Sequence, residues 1–377
     1  MSLTRRRLFQ QLADRGRLAA HLDQAASASP VLRISLNENP VGPGQHVLDA
    51  IIGRFHATSR YPFNGLQHEG QLPAAIAAKF PGAKAENVVM GAGSGEILTN
   101  AVRAFTSPQR PLATGWPSFE NPRVTAGKIG TPVREVKLDA SLRLDAPATA
   151  AAARGAGLVF FCNPNNPTAT VHGHAVVADF VKQVRASSPD TVIVIDEAYH
   201  DYVTDPGYKS AVAIALATSN VIVTRTFSKA YGMAGLRMGY AIGHAPIIRR
   251  LGAFRLPLGI GTPHIAALVA GLNNPAFIEA ERTRNREVRT FTMKAFADMG
   301  FNSTESQSSF IFVNIKRPAA PFRDACAAQG VLVGRDFPPY DKTHCRISIG
   351  TMAEMQRAVG VFRKVLGAAT TTTREKG

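Results

Sequence analysis

Lys229 stands in the run Thr226-Phe227-Ser228-Lys229-Ala230-Tyr231-Gly232, and Arg237 follows eight residues later in Gly235-Leu236-Arg237. The β-branched stretch Val221-Ile222-Val223-Thr224 leads into it and reads as a buried strand. A lysine held at a strand end among Phe227, Ala230, Tyr231 and Met233 loses hydration. Its ammonium form is then disfavoured, and the neutral amine becomes a nucleophile. One chemistry that needs such an amine is a Schiff base with an aldehyde cofactor. Taken alone, the stretch also fits a lysine whose stem lies along apolar surface, with an ordinary surface arginine beyond it.

Asp196-Glu197-Ala198-Tyr199 closes the most hydrophobic strand, Thr191-Val192-Ile193-Val194-Ile195. A carboxylate there is costly unless a cation meets it, and a protonated heterocyclic nitrogen is such a cation. An N-cap for a following helix would explain Asp196. It would not explain Cys162-Asn163-Pro164-Asn165-Asn166-Pro167-Thr168, which ends the buried strand Leu158-Val159-Phe160-Phe161. Three asparagines and two prolines make a rigid loop with available amides, at the position where open parallel sheets hold their ligands.

Between the short strand Asn87-Val88-Val89-Met90 and a helix bearing Ile97, Leu98, Ala101, Val102 and Phe105 lies Gly91-Ala92-Gly93-Ser94-Gly95. Strand, glycine turn and helix offer free N–H groups and a positive helix end to a phosphate. The spacing is not GxGxxG and no Walker lysine follows, so a single phosphate fits better than a dinucleotide. A plain tight loop is the alternative.

Three further places carry polar or aromatic groups. Asn37-Glu38-Asn39-Pro40-Val41-Gly42 is a turn-rich loop that is either a linker or a frame presenting the Asn37 amide to a substrate polar group. Arg60-Tyr61-Pro62 places a guanidinium and a phenol in a second turn. Trp116-Pro117-Ser118-Phe119 could stack an aromatic face on a planar ring, or Trp116 could serve as core packing. Arg346 lies inside the strand Cys345–Thr351, where a bidentate carboxylate would remove the cost of an unpaired guanidinium.

A chain of 377 residues accommodates two domains, and 45% hydrophobic residues with dispersed Gly and Pro fit an α/β protein. Lys plus Arg is 43 against 27 for Asp plus Glu, a formal charge of +16. The charges are dispersed and no nucleic-acid-binding motif appears, so the excess reads as anion attraction, with no nucleic-acid partner expected. Three separated cysteines make neither a disulfide framework nor a zinc site, and no metal is expected. No apolar run spans a bilayer. Residues 1–30 begin Ser2-Leu3-Thr4-Arg5-Arg6-Arg7, like the head of a twin-arginine signal, but charged residues follow where an apolar stretch should. A retained basic arm and a cytoplasmic location are expected, with export the lesser alternative. Helices are expected over 69–80, 174–186, 264–272, 275–299, 321–329 and 354–366, with Arg282, Arg284, Arg286 and Arg289 forming a solvated face.

Together these segments resemble the fold type I pyridoxal-phosphate-dependent aminotransferases of class I/II, in particular their histidinol-phosphate aminotransferase-like branch. Asn163–Thr168, Asp196–Tyr199, Ser228–Gly232 and Gly235–Arg237 carry the resemblance, which covers roughly residues 31–366. It implies a large domain (61–262) with a mostly parallel central sheet that binds the cofactor, and a smaller C-terminal α/β domain (263–366). A segment over 31–60 would join the small domain, and a tail over 367–377 would be disordered.

The resemblance assigns Lys229 the covalent cofactor link and the proton shuttle, and Asp196 the pyridine nitrogen. Tyr199 and Asn166 would bond the cofactor phenolate oxygen, and Phe119, where the family more often has tyrosine, would stack on its ring. Ser94, Gly95, Thr226, Ser228 and Arg237 would hold the phosphate, joined by Tyr61 from the other subunit of a homodimer. Arg346 would bind the substrate α-carboxylate or, with Arg335, the phosphate of histidinol phosphate. The implied reaction moves an amino group between an L-amino acid and a 2-oxo acid. Relatives with lyase, decarboxylase or oxidase chemistry share the same anchors. Where the family loop has glycine after Thr168, this chain has Ala169, which implies a different local backbone.

Overall fold

The computed structural model describes residues 31–62 and 70–371. The basic arm over 1–30, the start of the helix expected at Glu69 and the end of the tail, 372–377, lie outside the described residues. The strands, numbered along the chain, begin with β1 (Leu32–Arg33), β2 (Val88–Gly91), β3 (Leu112–Trp116) and β4 (Val133–Lys137). There follow β5 (Leu158–Cys162), β6 (Val192–Asp196), β7 (Val221–Thr226) and β8 (Gly239–Gly243). The last three are β9 (Phe310–Asn314), β10 (Val331–Leu332) and β11 (His344–Ser348).

Seven strands form the central sheet in the order β2-β8-β7-β6-β5-β3-β4. From β7 to β4 all neighbours run parallel, whereas β8 is antiparallel to both β7 and β2. The β5 and β6 side chains are buried on both faces, which is why these strands are continuous apolar runs. Helices cover each face, and two apolar clusters flank the sheet, one around Val159, Phe161, Ile193 and Val223, the other around Phe160, Val194 and Ile222. The parallel strands all point their carboxyl ends the same way. Asp196, Asn166 and Lys229 come from segments at those ends.

A second core gathers Ile311, Val313, Phe322, Ile347 and Phe362 around the antiparallel pair β9–β11. Leu32 and Ile34 belong to this core, because β1 pairs parallel with β10. The rest of the 31–60 segment behaves differently: Val47, on the helix Gln45–Ile52, packs in the core of the central sheet. The helix Thr262–Leu272, expected in the C-terminal domain, likewise contributes Ile265, Ala267 and Leu268 to the central-sheet core. The smaller unit's own helical cover starts with Pro275–Asp298.

The arginines on that helix are not a solvated face. Arg289 is buried and donates to the Ser308 carbonyl at 3.0 Å. Arg284 bonds Glu281 at 2.6 Å and the Gly350 carbonyl at 2.7 Å, and Arg282 reaches the Asp201 carbonyl at 2.6 Å. Only Arg286 of the four is exposed. Partners 66 and 81 residues along the chain, as Gly350 and Asp201 are, leave no trace in local charge pattern. Ala169 takes the left-handed φ of 61° that glycine would adopt. Its N–H bonds to the Asn165 carbonyl at 2.8 Å and its carbonyl accepts from Gln307 N at 2.9 Å, so tertiary bonds impose the conformation and the loop keeps the glycine-like path.

A buried ion pair fixes the strand ends. Arg225 of β7 donates through Nη2 and Nε to Glu197 Oε2 at 2.8 and 3.0 Å, and Ser210 Oγ and Ala211 N complete the shell of Glu197 at 2.8 and 2.6 Å. Burial alone would raise the Glu197 carboxyl, but Arg225 and the other donors outweigh it and hold it below its ordinary value. The pair ties the residue after Asp196 to the residue before Thr226. Arg225→Ala leaves Glu197 buried without its charge partner, and stability measured by chemical unfolding should fall by about 3–5 kcal/mol.

Candidate active site

A pocket of about 590 Å³ opens over the carboxyl ends of the parallel strands. Its wall contains Ser94, Gly95, Phe119, Asn166, Asp196, Tyr199, Thr226, Ser228, Lys229, Arg237, Asn37, Arg335 and Arg346. Every residue that the sequence reading placed at the site in this chain is therefore in one cavity. Tyr61, assigned to a neighbouring subunit's site, is 76% exposed and lies outside the pocket. Trp116 also lies outside and carries the Arg123 guanidinium 4.6 Å over its ring.

Asp196 ends β6 at 2% exposure, with Thr224 Oγ1 donating to Oδ1 at 2.8 Å. No salt bridge joins it to a described residue. Burial pushes its carboxyl up to about 7, against the opposing Thr224 bond. A cation placed against Oδ2 would restore the carboxylate form. Cys162, missed by the sequence reading, lines the same floor with Sγ 4.0 Å from Asp196 Oδ2. Its position at the end of β5, in register with Asp196 on β6, is the only signal that could have found it.

Lys229 projects between this floor and the N-terminal loop, its Nζ donating to the Leu36 carbonyl at 3.2 Å and standing 5.5 Å from the Tyr199 ring centre. Burial, and then the Arg346 charge, lower the Lys229 ammonium to about 8. The neutral amine is thus a minority form at pH 7 and becomes the major form as pH rises above about 8.

On one side of Lys229 the chain forms an anion cradle. Gly93 caps the helix Ser94–Phe105 at φ 80°, and a side chain there would collide with the Arg237 guanidinium. Arg237 Nη1 donates to Ser228 Oγ at 3.2 Å, and Thr226 Oγ1 donates to the same hydroxyl at 3.0 Å. The helix N-terminus, two hydroxyls and a guanidinium therefore converge on one spot.

The other side is a network around Arg346. Nη1 donates to Asn166 Oδ1 at 2.7 Å and Nη2 to the Ser35 carbonyl at 2.6 Å, while buried Nε has no partner among the described residues. With its carbonyl engaged, Asn166 has its NH2 group left to serve the pocket. Asn37 departs from expectation. Its Nδ2 donates to the Tyr199 hydroxyl at 3.0 Å and its Oδ1 accepts from Ser348 Oγ at 2.7 Å. The amide expected to face substrate instead orients the phenol. Burial raises the Tyr199 hydroxyl well above its ordinary value.

Among the described residues no group of three His, Cys, Asp or Glu side chains is placed to hold a metal ion, and no helix is long and apolar enough to cross a membrane.

The sequence matches the aminotransferase class I and II family over residues 29–362. The chain belongs to the class I and II aminotransferases. This aminotransferase is 34% identical over 355 residues to the histidinol-phosphate aminotransferase of Moorella thermoacetica, covering 93% of this chain and 89% of that protein. It is also 34% identical over 331 residues to the aromatic amino acid aminotransferase of Nocardia farcinica, covering 85% and 87%. Its fold matches histidinol-phosphate aminotransferase from Sinorhizobium meliloti, solved with pyridoxal 5'-phosphate, at a TM-score of 0.83 and 24% identity over 93% of this chain and 94% of that one.

The aminotransferase is an enzyme of the pyridoxal-phosphate-dependent fold type I group, and its pocket fits the cofactor on physical grounds. The buried Asp196 carboxylate needs a cation, the cradle needs an anion, and a lysine with a lowered pKa lies between them. Capture of pyridoxal phosphate by the cofactor-free protein should accelerate as pH rises through about 8, as the Lys229 amine loses its proton. In Arg346→Ala the midpoint should move upward, because one of the charges that lower it is gone. Stopped-flow reconstitution across pH measures both.

Proposed function

We propose that this aminotransferase moves an amino group between an L-amino acid and a 2-oxo acid in two half-reactions, with Arg346 receiving the substrate α-carboxylate. The observation that carries the reading is the state of Arg346. Arg346 is 6% exposed as a residue, burial holds its guanidinium below its ordinary pKa, and both described hydrogen bonds go to neutral acceptors. A carboxylate meeting the guanidinium would satisfy Nε and its charge together. Phe337 lies 4.8 Å from the guanidinium carbon and Phe310 5.6 Å, which confines the group to the pocket wall.

Bound in the pocket, pyridoxal phosphate supplies the electron sink that makes the substrate Cα proton labile. The residues do the rest. Lys229 Nζ would hold the cofactor and, once freed from it by the incoming amine, would take the proton from substrate Cα and deliver it to the cofactor carbon that carried the aldehyde. Asp196 keeps a proton on the pyridine nitrogen. The Asn166 NH2 and the Tyr199 hydroxyl, itself held by Asn37, bond the cofactor ring oxygen. Phe119 covers the ring, and Ser94, Gly95, Thr226, Ser228 and Arg237 hold the phosphate.

A homodimer is part of the proposal. Leu48 is 42% exposed on the helix Gln45–Ile52, and Val269 37% exposed on the helix Thr262–Leu272. These helices pack on each other and border an open groove lined by Ala50, Gly53, Ala266 and Ala270. Phe55 at 52%, Phe254 at 47% and Leu256 at 67% add further exposed apolar surface, which supports a second copy as cover. Tyr61 would then serve the phosphate of the neighbouring site. The names of the relatives favour a second reading, with histidinol phosphate as amino donor. For that donor, which has no carboxylate, Arg346 and Arg335 would both turn to the phosphate.

Borohydride reduction of the wild-type holoenzyme should fix the cofactor mass on the peptide containing Lys229, and Lys229→Ala should lose that mass and turnover by roughly 10²–10⁴-fold or more. Arg346→Ala should raise the donor KM by about 30-fold or more. Unchanged donor kinetics in that variant would remove the carboxylate role.

A further inference from the structure

The substrate end of the pocket carries more charge than the sequence reading assigned. Besides Arg346 it is lined by Arg335, Arg323, Glu38 and Glu120. Arg335 Nη2 lies 2.6 Å from Glu120 Oε2, its Nη1 donates to the Asp336 carbonyl at 2.9 Å, and its guanidinium stacks 4.3 Å from the Phe337 ring centre. Arg323 pairs with Asp336, and Glu38 with Arg33 at 3.1 Å. Among the described residues, Arg346 is thus the one arginine at this end with no carboxylate partner. Among the described residues at the substrate end, Arg346 is the guanidinium left for a substrate anion.

We propose that Glu120 is a specificity-determining residue: by holding Arg335 it makes the site select amino donors with one carboxylate and an uncharged side chain. Donors whose side chain carries a second anion, phosphate or carboxylate, are disfavoured. The inference rests on Arg346 as receptor of the α-carboxylate. Arg335 and Glu120 are 52% and 36% exposed, and a side-chain anion that reached Arg335 would meet it beside the Glu120 carboxylate, 2.6 Å from Arg335 Nη2, and be repelled by it. Like charges placed together at an interface discriminate against the wrong partner. An uncharged side chain disturbs neither member of the pair. Glu120 directly follows Phe119 and opens the helix Asn121–Lys128, so its position is tied to the aromatic wall of the pocket.

The test is kcat/KM of the holoenzyme and of Glu120→Gln for phenylalanine, leucine, aspartate, glutamate, lysine and histidinol phosphate. Wild type should favour phenylalanine and leucine over each charged donor. Glu120→Gln should raise the ratio of anionic-donor to neutral-donor kcat/KM by about tenfold, and adding Arg335→Gln should erase that gain. Wild-type preference for histidinol phosphate, an acidic donor or lysine overturns the proposal without any variant. A ratio unmoved in a Glu120→Gln enzyme that still transfers amino groups overturns the role of Glu120 alone. Absence of transfer from every donor in the wild type removes the reading of Arg346, and this inference with it.

Discussion

A carboxylate at the end of a fully buried, β-branched strand has to be met by positive charge, and much of this structure is arranged around that requirement at Asp196. Burial pushes the acid up to about 7, so the protein alone does not hold it securely ionised. The Thr224 hydroxyl meets one oxygen, and the other faces the pocket floor beside Cys162. In the proposed function a protonated pyridine nitrogen would answer the requirement.

The same logic of incomplete satisfaction runs through the site. Lys229 sits where its charge is disfavoured by burial and by Arg346, Arg346 has an Nε without a partner among the described residues, and the cradle gathers donors on one point. Two buried carboxylates elsewhere are closed. Glu197 is saturated by Arg225, Ser210 and Ala211, and Glu281 is held by Arg284 and Tyr202. These closed pairs hold the strand ends and the helix Pro275–Asp298 in place. In the proposed function the open ones are where cofactor and substrate would enter.

The strands β5, β6 and β7 and the chemistry at their ends were readable because each is a local signal: a continuous apolar run followed at once by Asn, Asp or Lys. Elements without such contrast were not. β8 is a Gly-Tyr-Ala-Ile-Gly pentapeptide whose antiparallel insertion depends on pairing with β7 and β2, and the helix Thr262–Leu272, legible as a helix, was not legible as part of the central-sheet core because it packs against the helix Gln45–Ile52 more than two hundred residues earlier. Asn37 was found as a site residue for the wrong contact, since its partners Tyr199 and Ser348 are distant in sequence. Glu120 and Arg335 could not be paired from sequence for the same reason. Arg289 looked solvated because its acceptor is a main-chain carbonyl, which composition does not show.

The central claim is that the arrangement around Asp196, Lys229 and Arg346 transfers an amino group, and a single half-reaction measures it most directly. Holoenzyme mixed with an amino acid in the absence of any 2-oxo acid should release one equivalent of 2-oxo acid per site and then stop, with the cofactor recovered in its amine form. Continued loss of donor without that stoichiometric arrest, or release of carbon dioxide with the cofactor still an aldehyde, would contradict the account.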